Sequence, residues 1–192
     1  RRGIKNRTMF ITLGEAYHGD TLGAVSLGGI DLFHASYRPF LFKKLCAPLP
    51  HCYRCELGKT YPECENPAGA TACAATVEKI LAKHHRRVIG IFMEPRIQGA
   101  AGMITHPPGY LREMRRLADK YGVLLILDEV ATGFGRTGAM FACEKDGVAP
   151  DILCLAKGLT GGYLPLAATL VREKIYKAFL GPYRSMKTFF HG

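Results

Sequence analysis

Val123-Leu124-Leu125-Ile126-Leu127-Asp128-Glu129 is the stretch that decides the fold. Five apolar residues in a row, closed by two carboxylates, suit a strand buried on both faces, as in a parallel sheet covered by helices. Similar short apolar runs recur at 9–13, 88–93, 152–155 and 166–171. Helical patterns fall between them. One covers 71–83, with Val77, Ile80 and Leu81 on its apolar face. Another follows Pro107-Pro108, carries Leu111, Met114 and Leu117 at helical spacing, and ends at Gly122. The alternation predicts an α/β domain with a mainly parallel central sheet and helices on both faces. Ligands of such sheets bind beyond the carboxyl ends of the strands, so the residues just after each strand carry the functional reading.

The chain has 192 residues, 48% hydrophobic and 22% charged, which is the size and balance of one globular domain with a real core. No apolar run approaches the ~18 residues of a membrane span, and no signal-peptide pattern opens the sequence. The expectation is a cytoplasmic protein with no membrane partner. A net charge of +10 permits nucleic-acid binding. The basic residues, however, fall in scattered clusters at 1–7, 83–87 and 112–116, without the aromatic interleaving of single-strand binders. The last cluster lies on a helical pattern and is expected to form its solvated face, so no nucleic-acid partner is expected. The absence of an initiator Met and the stop at Phe189-Phe190-His191-Gly192 read as an internal segment of a longer protein.

Three strand ends carry polar residues that need a purpose. Asp128-Glu129 follow one run, Ala156-Lys157-Gly158 another, and Glu94-Pro95 with Gln98-Gly99 a third. Carboxylates and a lysine at one rim of a sheet are expected to converge on a cleft. Four apolar residues before Asp-Glu is also the Walker B pattern of nucleotide hydrolases, but the GxxxxGK[ST] loop that reading requires is missing. Pyridoxal phosphate (PLP) chemistry fits better. It needs a lysine amine to bond the cofactor aldehyde and a carboxylate to keep the pyridine nitrogen protonated. Lys157 and Asp128 suit these roles, with Tyr17 covering one ring face and Val130 the other.

The run from Ile126 through Asp128-Glu129-Val130-Ala131-Thr132-Gly133-Phe134-Gly135-Arg136-Thr137-Gly138, followed by Pro150-Asp151 and Leu155-Ala156-Lys157-Gly158-Leu159-Thr160-Gly161-Gly162, resembles the signature of class-III aminotransferases. Within that class the chain is similar to the members that serve biotin biosynthesis, through Tyr17-His18-Gly19-Asp20-Thr21 as well as Arg136. The resemblance implies the large PLP-binding domain of the fold-type I aminotransferases, with residues 1–192 forming its central part, and a homodimer with a shared active site. It implies Lys157 as the catalytic residue, and Tyr17, His18, Glu94, Gln98, Asp128 and Val130 beside the cofactor. Tyr17, Asp20 and Arg136 would face the substrate. The implied reaction is transamination of 8-amino-7-oxononanoate with S-adenosylmethionine, or lysine in some relatives, as donor. The alternatives are another class-III ω-aminotransferase or aminomutase, or a silent binding module. By the same resemblance, Thr188 is not the partner subunit's phosphate contact, which follows Gly192. Asp20 has a second role open to it, capping a helical turn over 22–27. His18 is expected to hold its loop.

Residues 46–73 stand apart, with five of the seven cysteines and four prolines. A surface loop with reduced thiols is the expectation. The alternative is a metal or redox site at Cys52, Cys55, Cys64 and Cys73, although the later pair is not a second CxxC.

Overall fold

The computed structural model describes residues 4–55, 57–58, 61–64 and 67–187. Arg1, Arg2 and 188–192, invoked above, lie outside the described residues. The strands are β1 (Met9–Leu13), β2 (Leu45–Ala47), β3 (Val88–Met93), β4 (Ile97–Gln98), β5 (Ile104–Thr105), β6 (Leu124–Asp128), β7 (Ile152–Leu155) and β8 (Ala168–Val171). The helices are α1 (Leu22–Leu27), α2 (Asp31–His34), α3 (Tyr61–Cys64), α4 (Pro67–His84), α5 (Tyr110–Tyr121) and α6 (Glu173–Tyr176).

The central sheet runs β2-β1-β3-β6-β7-β8, and every pairing is parallel except β7 with β8. The expected mainly parallel sheet is therefore present. Its edge strand is Ala168–Val171, shorter than the 166–171 run suggested. Leu125, Ile126, Leu127 and Asp128 are all buried, so β6 is covered on both faces. A continuously apolar strand is the sequence mark of that position. β4 and β5 form a separate two-stranded antiparallel ribbon.

Helices α4 and α5 pack on one another and against the sheet. Val77 and Leu81 of α4 meet Leu111, Met114 and Leu117 of α5 in the core, with Ile80 packed at its margin. Each fully buried aliphatic side chain of this kind contributes about 1.5–3 kcal/mol. The polar side of α5 is the expected solvated face except at Arg115. Arg115 reaches Asp151 at 2.9 Å, and Arg112 and Arg96 pair with the buried Asp146 at 3.3 and 3.0 Å. The buried carboxylate of Asp151 draws Arg115 inward, while Arg112 and Arg116 stay exposed.

The cysteine-rich stretch is more than a surface loop. It contains β2, which pairs in parallel with β1, as well as α3 and the first turns of α4. Cys52 and Cys64 are buried. Gly69 lets α3 close on α4: a Cβ there would lie 2.5 Å from the Cys64 carbonyl oxygen. Every described cysteine is outside disulfide linkage. The Cys52 thiol is pushed up to about 12, by burial first and then by Cys64, Cys73 and Cys55 around it. Among the described residues, no group of three or more His, Cys, Asp or Glu side chains is arranged to hold a metal ion.

Candidate active site

Parallel strands carry their carboxyl ends to one rim, and β1, β3, β6 and β7 are consecutive neighbours in the sheet. The residues that follow them meet there. A cavity of about 420 Å³ is lined by Tyr17, His18, Glu94, Asp128, Val130 and Lys157, with Gly19, Gly99, Ala100, Met103 and Ala131 completing its wall. Six of the residues singled out in the sequence thus share one cavity.

Asp128 is the fixed point. Its Oδ1 accepts the Val130 backbone N–H at 3.0 Å, and its Oδ2 lies 2.8 Å from His18 Nδ1. A carboxylate only accepts, so Nδ1 carries the proton in this pair. The His18 ring is held edge-on to Phe92 at 4.5 Å, and its side chain is buried. The expected loop-holding role of His18 is therefore more specific: it orients the carboxylate. The sequence shows no periodic signal for this bond, which joins residues 110 positions apart.

Glu129 is different. It is wholly buried and accepts the N–H groups of Ala142 and Cys143 at 2.6 and 2.9 Å, with the Thr132 hydroxyl at 3.3 Å. The expectation that both carboxylates of the Asp-Glu pair reach the cleft is corrected. Successive residues at a strand end point to opposite sides, so Glu129 serves the turn at Ala142–Asp146.

Lys157 opens a 3₁₀ turn, Lys157–Leu159, directly after β7. It lines the cavity and is exposed. Gly158 must be glycine, because a Cβ there would lie 2.3–2.5 Å from the Phe134 side chain. That contact wedges the lysine turn against the 133–141 loop. Tyr17 donates its hydroxyl to Asp20 at 2.9 Å, and its ring meets Phe33 edge-on at 5.8 Å. Asp20 does not cap α1. The N-cap is Thr21, whose side chain makes no capping bond. Asp20 is instead committed to the Tyr17 hydroxyl.

Two sequence candidates lie elsewhere. Gln98 is buried and donates to the Gly14 carbonyl at 2.9 Å, joining the ribbon to the turn after β1. Arg136 lines a second cavity with Arg96, His106 and Lys145. The loop bond from Phe134 N–H to the Met140 carbonyl, 2.7 Å, closes the turn that carries Arg136 there. Among the described residues these two do not line the Lys157 cavity.

The residues present fit PLP. An amine, a carboxylate locked by two donors, an aromatic wall and an apolar wall surround one space, and the buried Nε2 of His18 and Oε1 of Glu94 have no partner among the described residues.

Comparison with known proteins agrees. The aminotransferase class-III family profile matches residues 1–190. The chain is 54% identical over 190 residues to the adenosylmethionine-8-amino-7-oxononanoate aminotransferase of Geobacter sulfurreducens, covering 99% of this chain and 41% of that protein. The Aquifex aeolicus protein of the same name is 52% identical over 192 residues, which is again 41% of its length. The crystal structure of the Methanocaldococcus jannaschii protein of that name superposes with a TM-score of 0.85 at 46% identity, covering 100% of this chain and 40% of that one. A PLP-bound amine transaminase from an uncultivated Pseudomonas species gives 0.84 at 38% identity, covering 92% and 39%. The chain thus spans about two fifths of the length of these relatives. Their class is PLP-dependent and its fold is the fold-type I α/β architecture, which the mostly parallel sheet here shares. This chain belongs to the class-III aminotransferases.

Proposed function

We propose that this chain is the central part of the PLP-binding large domain of an aminotransferase that converts 8-amino-7-oxononanoate to 7,8-diaminononanoate in biotin biosynthesis, with S-adenosylmethionine as amino donor. The observation that carries the reading is Lys157 and Asp128, on adjacent strand ends, lining one cavity. The choice of substrate is supported by identities of 46–54% to proteins named for it, against 38% to the amine transaminase.

Bound here, the cofactor supplies an aldehyde for the Lys157 amine and a protonated ring that draws electrons from the substrate carbon. Lys157 Nζ would hold the cofactor and, once free of it, would carry the proton to and from the substrate's amino-bearing carbon. Asp128 holds a proton at the ring nitrogen, and His18 Nδ1–H and the Val130 N–H keep its oxygens aimed. Tyr17 and Val130 wall the ring, and the Tyr17–Asp20 bond fixes the tyrosine's tilt. Asp20 would face the substrate beside Tyr17, Arg136 would meet a part of the substrate outside the Lys157 cavity, and Gln98 supports the site through the Gly14 turn. The protein works as a cytoplasmic homodimer on small molecules, without nucleic-acid or membrane partners. No described helix is long and apolar enough to cross a membrane.

The test is borohydride reduction of the full-length protein followed by peptide mass spectrometry. A pyridoxyl group on Lys157 is expected, and its absence would end the enzyme reading. Turnover with 8-amino-7-oxononanoate, compared with ω-amino acids, then checks the substrate.

A further inference from the structure

The cavity holds two carboxyls, and they are not equivalent. Asp128 has both oxygens engaged, by His18 and by the Val130 N–H. Glu94, at the end of β3 and 5% exposed, is anchored through Oε2 alone, which accepts the Gly99 N–H at 3.1 Å. Its Oε1 is buried without a partner among the described residues. A desolvated carboxylate with an empty oxygen is costly, and the usual relief is to keep the proton. Burial lifts the Glu94 carboxyl to about 7, opposed by the Gly99 N–H, reinforced by the charge of Asp128, and opposed again by Lys157. The titratable groups around it are Asp128 from β6, Tyr17 and His18 from the turn after β1, and Lys157 from the turn after β7.

We propose that Glu94 is the adjustable counter-charge of this site, a neutral acid until a primary ammonium ligand enters and a carboxylate afterwards. The proton balance is simple. The ligand arrives as R–NH3+, the O–H bond of Glu94 breaks at Oε1, and one proton goes to bulk water. The ammonium then meets a carboxylate in a cavity where an uncompensated charge would be strongly disfavoured. The assignment deepens the aminotransferase reading and rests on it for the ligand class, primary amines.

The experiment compares the full-length protein with its Glu94→Gln and Glu94→Asp variants. The first readout is thermal stability of the cofactor-free protein against pH. A carboxyl whose folded pKa exceeds its unfolded one lets the folded state bind the extra proton. The stability of wild type relative to Glu94→Gln should therefore fall as pH rises from about 4.5 to about 7 and level off above, the difference cancelling the opposite contribution of the buried His106. Glu94→Gln, unable to ionise, should lack that decline and gain on wild type at pH 8. The second readout is the KM for the amino donor. Loss of a charged partner should raise KM by roughly 10-fold or more in Glu94→Gln, with Glu94→Asp recovering part of it. A flat difference profile, or a Glu94→Gln enzyme with unchanged KM, overturns the proposal. Glu94→Asp keeps the carboxyl, so the KM comparison survives if Glu94→Gln folds poorly. If Lys157 takes no pyridoxyl group, the aminotransferase reading fails while the stability profile still reports on the Glu94 proton. If Lys157 is labelled and Glu94→Gln behaves as wild type, only the counter-charge fails.

Discussion

Asp128 and His18 are 110 positions apart, yet each is defined by the other. The imidazole is buried, braced by Phe92, and spends its Nδ1 proton on the carboxylate. Replacing His18 with Ala leaves Asp128 Oδ2 buried without its donor, at a cost of about 1–3 kcal/mol in stability, measurable by denaturant unfolding. Asp128→Asn keeps the shape but removes the charge. It should lower kcat by about 100-fold or more with little change in fold, which steady-state kinetics and circular dichroism can separate. At this scale the sequence was half legible. Asp128 and Lys157 stand out because polar residues after apolar strands need a reason. Which oxygen of a carboxyl is already occupied depends on distant backbone and side chains, and no local pattern records that. For the same reason Gln98 and Arg136 looked like members of the Lys157 cavity, and the structure sends one to Gly14 and the other to a second cavity.

Strands and helices were read more accurately. β1, β3 and β7 fall where the apolar runs lie, because a strand covered on both faces leaves a continuous mark. β2 was hidden among cysteines and prolines, since three residues are too short to show periodicity. The ends of elements carry two further predictions. Gly158→Ala would drive a methyl into Phe134 and should destabilise by about 1–3 kcal/mol, with impaired cofactor loading seen by absorbance. Asp151, just before β7, binds the Leu125 N–H at 3.0 Å, Arg115 at 2.9 Å and Lys174. These partners outweigh burial and hold its carboxyl down at about 2. Its contribution to stability is therefore present above its unfolded value of about 3.8 and disappears as pH falls through 2. Asp151→Asn should cost about 2 kcal/mol at pH 6 and almost nothing at pH 2.

At the scale of the whole molecule, the described surface beyond β7 carries several large exposed apolar side chains. Tyr163, Leu164, Leu166 and Leu170 are exposed, and Tyr163 retains 94% of its surface. Apolar area of this kind is normally covered by other protein. Relatives are about two and a half times longer than the part matched here. The 192-residue segment alone should bind an apolar dye such as ANS and self-associate, and Tyr163→Ser with Leu164→Ser should reduce both. Equal dye binding by the full-length protein would show that this surface stays open.

The Asp128-Glu129 pair sits where β6 meets β7 in register, with Asp128 opposite Cys154. One carboxyl faces the ligand and its neighbour ties down the 142–146 turn. The dipeptide is thus a vernier for the strand. A one-residue slip would exchange the two faces, leaving the longer glutamate in the cavity and the shorter aspartate out of reach of Ala142 and Cys143. Chemistry and framework would fail together. Any engineered insertion or deletion along 123–129 must therefore preserve the phase of this pair, even where it preserves hydrophobicity.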